Sequence, residues 1–136
     1  MSLTIQQVPL EIIWQVRQEV MYPEHTIEQV KLEDDALGRH LGLFAAGELR
    51  SVISLFQQGD SLQFRKFATL LPHQGKGFGK HLLQEVFAQA KADGLATIWC
   101  NARTAAAPLY QQFGMVPIGE TWQQHGHQFV KMQVTL

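Results

Sequence analysis

The sequence predicts a mixed α/β (α+β) domain: a mostly antiparallel sheet of about seven strands with a central parallel pair, flanked by about four helices. Two observations predict the antiparallel part. Apolar runs meet across short turns at Gly47 and at His125-Gly126, which makes hairpins. A third predicts the parallel pair: an amphipathic segment over 78–93 lies between two strand-like runs, 62–69 and 95–101, and a right-handed crossover sets such strands side by side in one direction. With 136 residues, 46% hydrophobic and 17% charged, the chain reads as one domain, 1–136, able to bury a core.

Each element follows from its own residues. A short strand over 3–8 opens the chain, and Pro9 stands where a first helical residue belongs. Leu10, Ile13, Trp14, Arg17 and Val20 recur at helical spacing, so 9–21 is a helix with one buried face, ended by Tyr22-Pro23. Residues 24–38 set Ile27, Val30 and Leu32 among Glu28, Glu33, Asp34 and Asp35, the pattern of a short helix or an ordered loop with solvated acids. Strands over 40–46 and 48–57 follow, then a turn over 57–61 and the strand 62–69. Simple alternation puts Leu62, Phe64, Lys66 and Ala68 on one face and Gln63, Arg65, Phe67 and Thr69 on the other. Neither face is cleanly apolar, which marks a central strand partly engaged by something other than side-chain packing.

Helix 78–93 is the clearest element. Phe78, Leu82, Leu83, Val86, Phe87 and Ala90 form its stripe, and Asp93-Gly94 closes it. After the strand 95–101, Thr104 is expected to cap a short helix starting near Ala106 and ended by Gly114. Strands over 116–123 and 127–135 complete the sheet.

Between strand 62–69 and its helix lies Gln74-Gly75-Lys76-Gly77-Phe78-Gly79-Lys80. Three glycines keep Cβ atoms off the inner surface of this turn, so successive N–H groups can converge on one anion at a helix start, a cradle suited to phosphate. The spacing excludes a nucleoside-triphosphate loop, because neither Gly-Lys pair is followed by Ser or Thr. It also excludes the dinucleotide fingerprint, because Lys80 stands where the third glycine belongs.

What fits is Q-x-x-G-x-G, Gln74 to Gly79, which resembles the pyrophosphate signature of the GCN5-related N-acetyltransferases, the GNAT family. Asn101 at the end of the next strand and Ala106, Tyr110, Gly114 and Met115 in the following helix are similar to that family's A-x-x-x-Y-x-x-x-G-(F/M) segment. The element order agrees along nearly the whole chain. Residues 17–21 and Gly119-Glu120-Thr121 resemble its small ElaA-like bacterial branch, although Phe129 stands where that branch has a His.

The resemblance implies a transferase moving acetyl from acetyl-CoA directly to a primary amine through a tetrahedral intermediate. The cofactor residues it implies are Phe67, Ala68, Thr69, Gln74, Gly75, Lys76, Gly77, Phe78, Gly79, Lys80, Asn101 and Tyr110. The pantetheine arm would enter where the central parallel strands splay, with a backbone N–H near Ala68 facing the developing oxyanion. Tyr110 would protonate the departing thiolate. For the base, Glu120, His125, His127, Glu19 and a water chain stay open, with Glu120 the working choice.

Composition bounds the partners. Net charge is −1, from 11 basic and 12 acidic residues without like-charge runs, so neither a nucleic-acid nor a membrane surface is expected. The expected partner is a small-molecule or peptide amine, with the last strand's free edge open to a second copy in a homodimer. Cys100 is the single cysteine, and no secretory or spanning segment is read, so a reducing cytoplasm is expected. It reads as a buried small side chain rather than an acyl carrier. His125-Gly126-His127 lacks a third ligand, so no metal is expected. The rival classes are an acyl-CoA sensor of the same fold and an interaction domain whose glycine turn is only structural.

Overall fold

A computed structural model describes residues 2–136. β2 (Arg39–Ala45) and β3 (Glu48–Gln58) are joined by Ala46 and Gly47, both at positive φ (53° and 78°). A two-residue turn of this hand matches the right-handed twist of its strands. His125 and Gly126 repeat the device (52° and 76°) between β6 (Val116–Gln124) and β7 (His127–Thr135). With β1 (Leu3–Gln7), β4 (Ser61–Thr69) and β5 (Thr97–Arg103), these strands form one sheet in the order β1-β2-β3-β4-β5-β7-β6. Every neighbouring pair is antiparallel except β4 and β5.

The helix α3 (Phe78–Ala92) packs on one face, and all six residues of its expected stripe are buried. Its C-terminus closes as foreseen: Gly94 N–H reaches Lys91 C=O (3.1 Å) and Leu95 N–H reaches Ala90 C=O (3.0 Å), with Gly94 at φ 75°. The short α4 (Ala107–Gln111) lies on the same side, and the main core joins both helices to β2–β5 and β7. The other face carries α1 (Leu10–Val16), a wider π turn over Arg17–Met21, and the single turn α2 (Ile27–Val30). A smaller core of Val8, Ile13, Val16, Val52 and Ala68 sits beneath them. No helix among the described residues is long and apolar enough to cross a membrane.

Several local expectations are corrected. Pro9 is extended (ψ 151°) and precedes the helix as its cap. Thr104 caps nothing; its hydroxyl donates to Gln128 Oε1 (3.2 Å), and a 3₁₀ turn over Thr104–Ala106 leads into α4 instead. In α2 the reciprocal bonds of Thr26 and Gln29 form a capping box that the T-x-x-Q spacing could have announced.

The strand faces assigned to β4 are also corrected. Val52 lies opposite Ala68 and Ser54 opposite Arg65, so residues 66 and 67 share one partner and Lys66 takes positive φ (53°). This bulge reverses the alternation. Leu62, Phe64 and Phe67 then face the main core, while Ala68 faces the smaller one.

The acidic loop is not wholly solvated either. Asp35 is 3% exposed, and its carboxylate takes a bidentate pair from Arg17, which is 0% exposed, at 2.8 Å for both bonds. Trp14 Nε1 and Leu32 N–H add 2.9 Å bonds to the same carboxylate. Arg17 also donates to Val30 C=O (3.1 Å) and Ser54 Oγ (3.0 Å). His40 Nε2 lies 2.8 Å from Asp35 C=O and must donate to it, which leaves Nδ1 to accept from Ser54 at 2.8 Å. Burial alone would raise the Asp35 pKa; the Arg17, Leu32 and Trp14 hydrogen bonds and the Arg17 charge outweigh it and hold the group at about 2.

Removing one partner of a buried pair strands the other, so Asp35→Ala should lower the urea-unfolding free energy by about 3–5 kcal/mol. Because the folded-state pKa is depressed, this stabilisation is complete above the unfolded value of about 4 and is lost as pH falls toward 2. Acid titration of stability should therefore be shallower in Asp35→Ala than in the parent chain.

Candidate active site

β4 and β5 pair only over Ser61–Gln63 against Thr97–Trp99, and then diverge. β3 continues along the outer side of β4 to Thr69, and β7 along the outer side of β5 to Arg103, so the inner edges beyond Gln63 and Trp99 face a gap. Leu70 N–H returns to Arg50 C=O at 2.9 Å. Amides alternate sides along an antiparallel strand, so those of Thr69 and Phe67 are directed away from β3, toward the gap. The result is a cleft of about 950 Å³ that runs between the sheet's two central strands.

The glycine turn stands at one mouth of this cleft. Gly75 and Gly77 adopt positive φ (76° and 85°), and a Cβ on either would meet nothing within 4 Å. Backbone conformation, not space, demands glycine there, and the open side is left for a ligand. Gly77 caps α3 without a side-chain acceptor, and the first intrahelical bond is His81 N–H to Gly77 C=O (3.0 Å). The N–H groups of Phe78, Gly79 and Lys80 thus have no helical partner and point out at the positive end of the helix dipole. At Gly79 space does matter: a Cβ would lie 3.1 Å from Thr69 Oγ1 and 3.2 Å from the Phe67 ring. Gln74 ties the turn to the strand, donating Nε2 to Thr69 C=O at 2.9 Å.

Tyr110 lines the cleft from α4, its ring edge-on to Phe64 at 5.4 Å and its residue 8% exposed. Burial, and secondarily Cys100 nearby, push its phenol above the ordinary value, so the hydroxyl stays protonated. Burial likewise pushes the Cys100 thiol up to about 12, consistent with a core residue.

Of the cofactor residues expected from the sequence, all but Lys76 line this cleft. Lys76 is exposed on the turn. Glu120 does not line the cleft; it is exposed in a bulge of the edge strand β6, between the pairs Ile118–Lys131 and Trp122–Phe129. Glu19 lies in a separate shallow depression with Gln15, Gln18 and Pro23. Of the side chains weighed as base, His125 alone lines the cleft.

Sequence reasoning missed Tyr22, Lys66, Arg103, Trp122 and Phe129, all of them on the cleft wall. Lys66 Nζ donates to the Tyr22 hydroxyl at 2.6 Å, and Trp122 stacks on Phe129 at 5.9 Å. The adjacent cations Arg65 and Lys66 within a central strand were the available signal.

A slot between parted central strands, with a phosphate-shaped glycine turn at one mouth and a protonated tyrosine on its wall, is the architecture of an acyl-CoA-dependent acyltransferase. Sequence comparison narrows the class. The chain belongs to the GNAT family of acetyltransferases, whose Acetyltransferase (GNAT) domain matches residues 8–136. It is 30% identical over 127 residues to the uncharacterized N-acetyltransferase YitI of Bacillus subtilis (strain 168), covering 87% of this chain and 85% of YitI. Among solved structures, a GNAT acetyltransferase from Elizabethkingia anophelis with acetyl-CoA bound superposes with TM-score 0.77 at 16% identity, covering 98% of each chain. Mutant forms of the spermidine/spermine N-acetyltransferase SpeG from Vibrio cholerae give TM-score 0.75 at 17% identity, covering 98% of this chain and 95% of SpeG. These two likenesses concern the fold.

The Cys100 environment makes a direct prediction. At pH 8 the native chain should resist iodoacetamide while the urea-unfolded chain reacts at an ordinary thiol rate, followed by intact mass. Rapid labelling of the native chain would show that β5 is open around Cys100 rather than packed.

Proposed function

We propose that this chain is an N-acetyltransferase that transfers acetyl from acetyl-CoA directly to a primary amine, in the cytoplasm. One observation carries the reading: a single cleft is lined by the glycine turn at the start of α3 and by Val20, Met21 and Tyr22 from the α1 side, so two substrates could meet inside the sheet. The residues fit the co-substrate. The amides of Phe78, Gly79 and Lys80 suit a diphosphate, with Gly75 and Gly77 leaving its approach clear. Lys80 lines the cleft and Lys76 adds charge from the turn. The unpaired inner edge of β4 at Phe67 to Thr69 suits an extended amide-bearing arm, which would bond as an added strand. Asn101 lines the same cleft from β5. Acetyl-CoA supplies an activated acyl thioester.

The chain's own groups then divide the work. As the amine nitrogen bonds to the acyl carbon and the carbon–sulfur bond breaks, an N–H beside Ala68, from Phe67 or Thr69, holds the oxygen that gains negative charge. Such a donor contributes about 2.7–4 kcal/mol in comparable sites. The amine's proton passes to water or to His125. Glu120, exposed in the β6 bulge, could act only through such a water chain. Tyr110 gives its proton to the sulfur and recovers one from solvent. Its burial keeps that proton in place across the working range, and the same dry wall makes a thiolate a stronger base.

Thiol release measured across an amine panel tests the reading. Tyr110→Phe should lower kcat by about a hundredfold while sparing acetyl-CoA affinity; unchanged kcat would remove Tyr110 from the chemistry. Because its phenol is raised above the ordinary value of about 10, kcat should show no Tyr110-dependent fall up to about pH 10. Gly77→Glu, which places a carboxylate and a disfavoured φ in the cradle, should abolish acetyl-CoA binding by calorimetry while the far-UV circular dichroism stays native.

A further inference from the structure

The charge on the cleft wall is one-sided. Among the described residues no Asp or Glu lines it, whereas Arg65, Lys66, Lys80 and Arg103 all do. Lys80 belongs to the glycine turn. Arg65 is answered by Asp34 at 3.5 Å and lies over the Phe56 ring. Lys66 and Arg103 have no carboxylate within salt-bridge distance among the described residues.

Both of these cations belong to the face opposite the glycine turn. Lys66 bonds to Tyr22, which follows the π turn on the α1 side. Ala102 and its partner Val130 are buried in the core shared with α3, so alternation sends Arg103 and Phe129 to the other side of the sheet. The coenzyme's phosphates, seated at the α3 N-terminus, therefore do not account for Lys66 and Arg103. Lys66 is moreover held at positive φ by the β4 bulge, a costly conformation for a residue with a Cβ, and bulges of this kind re-aim a side chain.

Resting on the acetyltransferase reading above, we propose that the acceptor is an amine that also carries an anionic group, a carboxylate or a phosphate, received by Lys66 and Arg103. A polyamine has the opposite requirement. Each further ammonium group would need a carboxylate on the acceptor wall, and among the described residues none lines it.

The test is a thiol-release assay on the full chain with matched acceptors: tyrosine against tyramine, phosphoethanolamine against ethanolamine, and spermidine. Acetyl-CoA binding is followed separately by calorimetry. The expected result is a kcat/KM at least about tenfold higher for an anionic member than for its counterpart lacking the anionic group, with spermidine lowest. The two matched pairs tell carboxylate from phosphate. Lys66→Met and Arg103→Gln should each lower kcat/KM for the anionic acceptor by about tenfold or more, mainly through KM, and leave acetyl-CoA affinity unchanged. Lys66→Glu should shift the preference toward the amine lacking the anionic group. Should tyramine, ethanolamine or spermidine match or exceed the anionic acceptors, or should no acceptor turn over while acetyl-CoA binds, the inference is overturned and the cofactor reading survives. Absence of acetyl-CoA binding in the parent chain overturns both.

Discussion

Backbone amides at the centre of a sheet have to find partners, and this sheet withholds them where β4 leaves β5. Only three residue pairs join the two strands before they part. The gap does not collapse because each strand is fully engaged on its other side, β4 by β3 and β5 by β7. Closing it would mean breaking one of those ladders. The molecule therefore carries a standing demand for an extended, hydrogen-bonding ligand, and the glycine turn lies where such a ligand's anionic end would emerge.

The buried Arg17–Asp35 pair serves the same opening from the other face. It fastens the π turn over Arg17–Met21 to the loop before β2 and, through Ser54, to β3. Tyr22 follows directly, its N–H bonded to Arg17 C=O at 3.0 Å, and its hydroxyl meets Lys66 in the bulge of β4. Stability and site geometry are thus coupled: the desolvated ion pair is costly to form, and what it secures is the position of a residue on the α1 side of the cleft.

The two mouths differ electrostatically for a structural reason. At the α3 mouth positive potential comes mainly from backbone N–H groups at a helix start, which hold a fixed geometry and suit a diphosphate. On the α1 side it comes from side chains, Lys66 and Arg103, that can follow ligands of different shape.

Much of this was legible in the sequence. The seven strands, the α3 stripe and the turns at Gly47, His125-Gly126 and Gly94 are set by local rules: apolar period, left-handed φ and helix capping act within a few residues. The glycine turn and the tyrosine-bearing helix were readable for the same reason, and they carried the family with them. Tertiary structure alone decided the rest. Alternation along β4 fails at Lys66 because the bulge is defined by pairing with β3, and Asp35 is buried because Arg17, distant in the chain, folds over it. Glu120 is kept from the cleft by a bulge in β6 that exists only against β7, while Lys66 meets Tyr22 across 44 positions. Interactions that span such distances leave no periodic trace in the chain, so they become visible only once the sheet has brought the partners together.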